Sequence, residues 1–178
     1  MRSHAAALLL ALAACPLPQP LAEVGRTPNS TTVSTPIMLP ETATPSDTVI
    51  SVGRACPNGA QVVLAVTVED VDTTEAVEVR WFLNYGAAGT GYIISYEVPA
   101  STDPNDPLRP VAPLAFRPYG PRGNATRTVD VVEAVVSNGF LPLSDLITQP
   151  VQRAAASPYV TQVQRWVIQY VDEDLACL

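Results

Sequence analysis

Three kinds of side chain in this sequence could carry covalent or acid–base chemistry: the thiols of Cys15, Cys56 and Cys177, the one imidazole of His4, and carboxylates in two groups. Glu69, Asp70, Asp72 and Glu75 form the first group, and Asp172, Glu173 and Asp174 the second. Hard cations such as Ca²⁺ take several oxygen ligands from one loop, so a cation would be sought there. The glycine that turns an EF-hand loop is missing, and acids in turns ordinarily cap and solvate the backbone. Glycoside hydrolysis would need two carboxylates about 5–10 Å apart in a cleft. The sequence offers acids without sugar-stacking aromatics beside them. Tyr85, Tyr92, Tyr96, Tyr119 and Tyr159 offer ring surface for a carbohydrate or peptide. Tyr92 and Tyr96, four apart at period two, are expected to share a strand face and to pack.

His4 lies in an N-terminal stretch that reads as a targeting segment. Its removal would leave no imidazole, and with it no Ser-His-Asp or Cys-His site, no His-based zinc site and no His general base. There is also no Gly-rich phosphate loop, GxSxG or HExxH. The expectation is a non-enzymatic protein with no catalytic residues, no metal and no cofactor.

The chain has 178 residues, with 47% apolar and 15% charged, which fits one globular domain plus a linker. Every basic residue is arginine, and 10 basic against 17 acidic residues give −7. Without residues 1–14, which hold Arg2 and no acid, the count becomes 9 against 17, or −8. That balance argues against a nucleic-acid partner, since such binding rests on neutralising phosphates.

The elements that must position these groups read as strands. Val62, Leu64, Val66 and Val68 alternate with Val63, Ala65 and Thr67, a strand expected to be mostly buried. Val77, Val79, Trp81 and Leu83 alternate with Glu78, Arg80, Phe82 and Asn84, a half-buried strand. Gly91–Val98, Thr126–Ser137 and Gln162–Val171 are further strands. In the last, Trp166, Ile168 and Tyr170 are the inward set. Residues 70–74 are a polar turn, and Pro99–Pro121, with seven prolines, reads as a large surface loop. No segment carries a capped 3.6-residue stripe. Residues 16–48, with seven prolines and many Ser and Thr, read as a solvated tether.

At the N-terminus a short positive start precedes an unbroken apolar run of ten residues, Ala5 to Ala14. That is too short to span a bilayer, which takes about 20 residues, and has the length of a signal-peptide hydrophobic region. The run ends in Leu12-Ala13-Ala14-Cys15, which resembles the bacterial lipobox. The resemblance covers residues 1–15 and implies diacylglyceryl transfer to the Cys15 thiol, cleavage before it, and acylation (palmitate) of the freed amine. It implies a membrane held through the lipid anchor. Pro16, in place of an inner-membrane-retaining aspartate, favours the outer membrane, on its periplasmic or surface face. Asn29-Ser30-Thr31 and Asn124-Ala125-Thr126 match the N-glycosylation pattern, by chance if the protein is bacterial.

With Cys15 lipidated, Cys56 and Cys177 remain as a pair in an oxidising compartment. They bracket the strong strands, and a disulfide between them is expected. Closing about 120 residues would stabilise by up to about 5 kcal/mol in the chain-entropy model. A redox or metal-binding thiol pair is the alternative. It lacks CxxC spacing and histidine, with Arg54 the basic residue near Cys56.

The strand series with Trp81 in VEVRWFLNY and the late VDVVEAVVSNGF resembles the immunoglobulin-like superfold, the latter being similar to penultimate strands of PKD-type and fibronectin-like bacterial modules. The resemblance covers roughly residues 50–178. No cysteine lies on the strand before Trp81 or near Val131, unlike true immunoglobulin domains. The expected organisation is a signal peptide (1–14), a lipidated Cys15 with disordered tether (15–48) and an all-β, immunoglobulin-like antiparallel β-sandwich (49–178). The expected function is a membrane-anchored envelope lipoprotein whose domain binds or scaffolds another envelope protein. The alternatives are a carboxylate-dependent hydrolase of envelope glycan and a calcium-dependent adhesion module.

Overall fold

In a computed structural model the described residues are 33–53, 61–86, 91–118, 128–142 and 153–172. All of them belong to the compact unit Thr32–Leu178. They contain strands and no helix, so none of them forms an apolar helix able to cross a membrane. The all-β sandwich read from period-two alternation is the fold.

Among the described residues nine strands form two sheets. The first joins β1 (Ile37–Thr44), β3 (Val62–Glu69), β6 (Leu108–Pro110) and β7 (Leu114–Phe116), with β3 pairing antiparallel to each of the others. The second runs β2 (Val49–Gly53), β9 (Gln162–Val171), β8 (Val129–Ser137), β4 (Val77–Leu83), β5 (Gly91–Val98). Its pairs are antiparallel except β2–β9, which is parallel.

Inward residues of both sheets make one core, including Leu64, Val66 and Val68 from the first and Val79, Trp81, Val132, Trp166 and Ile168 from the second. Such a shared apolar layer is what holds two sheets face to face. The Trp81 and Trp166 rings stack at 5.7 Å across β8, where Ala134, the register partner of Trp81, leaves room for them. Trp166, Ile168 and Tyr170 face inward as expected.

Four expectations change. The stretch 15–48 is not tether throughout: β1 lies within it and puts Met38 and Ala43 into the core. Residues 99–121 are not loop throughout, since β6 and β7 extend the first sheet. Burial on β3 and β4 is the reverse of what their composition predicts. β3 buries one face and leaves Val63 43% exposed, whereas β4 is buried on both faces apart from Glu78, which is intermediate. Finally, a register shift opposite Trp81 and Phe82 turns β5, so Tyr92 packs with the outer cluster of Phe82, Val135 and Phe140, and Tyr96 with the central core. A bulge of this kind moves every following side chain to the opposite face.

Candidate functional site

Cys15, Cys56 and Cys177 lie outside the described residues. The strands that lead to the last two are described, and their final residues, Gly53 and Val171, are partners in the parallel β2–β9 register. Cys56 follows Gly53 by three residues and Cys177 follows Val171 by six.

Three polar clusters are resolved. The first is the acidic turn after β3. Asp70 is fully buried, with Oδ1 accepting from the Asp72 N–H at 3.0 Å and Oδ2 from Asn138 Nδ2 at 2.8 Å. Asp72 Oδ1 accepts from the Thr74 N–H at 2.9 Å and its hydroxyl at 2.6 Å. The Thr74 hydroxyl and N–H, helped by the Arg109 charge, hold the Asp72 carboxyl below its ordinary value against a smaller opposing effect of burial. Arg109, buried on β6, donates to the carbonyls of Asp72 and Glu75. The turn is thus closed by its own carboxylates and clamped from the neighbouring strand.

Asn138 Nδ2 also donates to Glu75 Oε2 at 3.3 Å, so Asp70 and Glu75 share one donor. Carboxylates this close could in principle divide acid and base roles. Asp70, however, is fully buried and both its oxygens accept hydrogen bonds from within the fold. Among the described residues no group of three or more His, Cys, Asp or Glu side chains gathers as metal ligands do. In the second acidic group only Asp172 is described, and it is exposed.

The second cluster, not anticipated, lies at the opposite end of β4. Asp130 is 1% exposed and accepts from Tyr170 Oη at 2.6 Å and Asn84 Nδ2 at 2.6 Å. Asn84 has a φ of +47°, a left-handed conformation that asparagine tolerates better than most residues. Its Oδ1 accepts from the Val131 N–H at 2.7 Å and its N–H donates to the Val131 carbonyl at 2.8 Å. The end of β4 is thereby tied to β8. The signal was present in the sequence: Asp130 falls in register with the inward Val132, Ala134 and Val136, and an acid there requires donors.

The third cluster is on the outer face of the five-stranded sheet. Arg80, 2% exposed, donates from Nε to Glu78 Oε1 at 2.8 Å and from Nη2 to Glu78 Oε2 at 3.2 Å, and lies 4.2 Å from the Phe140 ring centre. Glu133 is buried between Arg165, its register partner on β9, and Arg153, whose Nη1 stands 2.9 Å from Oε2. Arg153 also faces the Tyr85 ring at 5.2 Å. The cover comes from residues 138–142 and 153–161, bridged through Phe140 and Ala155. The Arg80–Glu78 pair lies within β4, the Glu133–Arg165 pair joins β8 to β9, and the Glu133–Arg153 pair holds this cover.

Comparison with protein-family models, with curated proteins and with solved structures returned no match.

Proposed function

We propose that the chain is an exported cell-envelope lipoprotein, anchored through lipid on Cys15, whose immunoglobulin-like sandwich is a non-catalytic binding or scaffolding domain. The observation that carries the anchor is the ten-residue apolar run ending in Leu12-Ala13-Ala14-Cys15. Two or three acyl chains, at about 0.8 kcal/mol per buried CH₂, hold a protein stably on a bilayer. The outer membrane is the proposed location.

Support for the immunoglobulin-like reading comes from strand order. β9-β8-β4-β5 follows the G-F-C-C′ order of variable-type domains, β2 flanks the last strand in parallel, and β3 pairs with β1 as B does with A. Trp81 occupies the C strand, where such domains bury a tryptophan. Support for a binding rather than catalytic role comes from the buried acids. Asp70, Asp130 and Glu133 each have fixed partners inside the fold, which spends their chemistry on structure.

The Cys56–Cys177 disulfide belongs to the same reading. From paired ends, three and six residues reach at most about 10 and 20 Å. That span contains the Cα separation of about 4.4–6.8 Å a bridge requires.

The test is Cys15→Ser. The wild type should fractionate with membranes and carry the mass of its acyl chains, and the variant should be released without them. Wild-type chain that is soluble and of unmodified mass overturns the anchor. Non-reducing peptide mapping should recover Cys56 joined to Cys177, and free thiols at both positions in exported protein overturn the bridge.

A further inference from the structure

Among the described strands five are edges: β1, β6 and β7 pair only with β3, β2 only with β9, and β5 only with β4. An unpaired edge is a template for another chain, and proteins blunt it with proline, short length or charge. Three of the five are blunted, and β2 is shorter than β5 among the described residues. β1 contains Pro40 and β6 contains Pro110, each removing a backbone donor. β7 has three residues and β2 five.

β5 is different. It has eight residues, no proline, no basic residue and a single acid, Glu97. Its irregularity is confined to the first half, because Ile94 to Val98 pair with Trp81 to Val77 in unbroken register. On this regular half Ile94, Ser95 and Tyr96 are partly exposed and Glu97 exposed, although Ile94 and Tyr96 also pack against the core.

We propose that the Ile94–Val98 edge pairs antiparallel with the same segment of a second copy about a two-fold axis at Tyr96, joining two five-stranded sheets. The segment Ile94-Ser95-Tyr96-Glu97-Val98 is self-complementary about its centre. Antiparallel pairing there sets Ile94 against the second copy's Val98, Ser95 against its Glu97, and Tyr96 against its Tyr96. Apolar residues meet apolar residues on the inner face, and β-branched and aromatic cross-strand pairs are the favourable ones. The charge pattern selects this register. Within one chain Glu97 stands opposite Glu78, whose carboxylate Arg80 already holds. Across the two-fold axis Glu97 instead meets a serine hydroxyl that can donate to it, and no like charges are opposed. A second copy fits better than an arbitrary extended peptide because the same five residues supply both sides, as an isologous interface requires. A five-residue seam is smaller than a standard interface, so the dimer is weak and concentration-dependent. The inference does not rest on the lipid anchor.

Sedimentation velocity of the full-length chain, from about 10 μM to about 1 mM, tests it. The wild type should shift from monomer to dimer over that range. Ser95→Glu sets two Glu–Glu pairs across the seam and should weaken association about tenfold, whereas adding Glu97→Lys turns both into opposite-charge pairs and should restore it. Both substitutions suit the monomer, because residue 95 faces Arg80 and residue 97 faces Glu78. Near-ultraviolet circular dichroism of the Trp81–Trp166 pair checks the fold of each variant. A wild type that stays monomeric to about 1 mM overturns the proposal. So does a dimer that is indifferent to Ser95→Glu, or one that is lost on Val63→Asp, which places the contact on the other sheet.

Discussion

The two sheets treat their outward faces in opposite ways. On the β1-β3-β6 sheet the outward residues of β3 are Val63, Ala65, Thr67 and Glu69, all exposed or partly exposed and, apart from Glu69, uncharged. On the five-stranded sheet the outward residues of β4 and β8 include Arg80, Phe82, Glu133 and Val135, all buried on the side where residues 138–142 and 153–161 lie. The apolar-looking strand is the open one, and the strand with charges is the closed one. Charge reports exposure only when no partner arrives from elsewhere in the chain. Here Phe140 and Arg153 arrive, and the acid and the guanidinium go under cover with an opposite charge or a ring beside them.

The contrast predicts opposite responses to truncation at equivalent outward positions. Phe82→Ala should cost about 3–5 kcal/mol, because it empties a site beneath the cover. Val63→Ala should stay within about 0.5 kcal/mol. Urea unfolding measures both, and equal losses would remove the distinction between the faces. Replacing Arg153 and Arg165 together by alanine should cost about 2–3 kcal/mol, since buried Glu133 is then left unpaired. Glu133→Gln should cost less, because Arg165 is 59% exposed and turns to water without penalty. If the glutamine variant proves the more damaging, the arginines rather than the carboxylate are the costly groups.

Those two faces also show where sequence was readable. The β5 and β9 boundaries agree with the alternation, and β3, β4 and β8 agree to within a few residues, because period-two patterning survives on any strand with one buried face. Of the strands that were not legible, β2 and β7, with five and three residues, are too short to show a period, whereas β1 and β6 contain proline, which composition assigns to tether and loop. Proline is also what a sheet tolerates at its edge, and both are edge strands. The polar clusters divide in the same way. The Asp70–Asp72 turn is local and could be read directly. The Arg109 clamp on residues 72 and 75 and the Glu133–Arg165 pair join residues more than thirty positions apart, so only the register reveals them.

The cover itself can be broken at Gly139. A Cβ there would lie less than 3.0 Å from three carbons of the Tyr159 ring, so the two described parts of the cover could not keep their approach. Gly139→Ala should cost about 1–3 kcal/mol by overpacking. The same substitution in a Tyr159→Ala background should cost much less, because the colliding ring is gone. A loss that persists unchanged in that background would mean the penalty lies in the glycine backbone and not in the approach.

The acidic turn gives the smallest effect and the one with a defined pH sign. Asp72 lies in the turn that leads from the open strand β3 to the closed strand β4. Its folded carboxyl titrates below its ordinary value because Thr74 donates to it twice. A carboxyl lowered by folding contributes stability above its unfolded pKa of about 3.9, and the contribution disappears as pH falls through the lower folded value. Asp72→Asn keeps an acceptor for Thr74 and removes only the charge. The wild type should therefore exceed the variant by well under 1 kcal/mol at neutral pH, because the group is partly solvated. The difference should narrow as pH falls below about 4. A difference that widens in acid would mean that Asp72 is held by desolvation, and that the turn between the two strands is not closed by its own carboxylate.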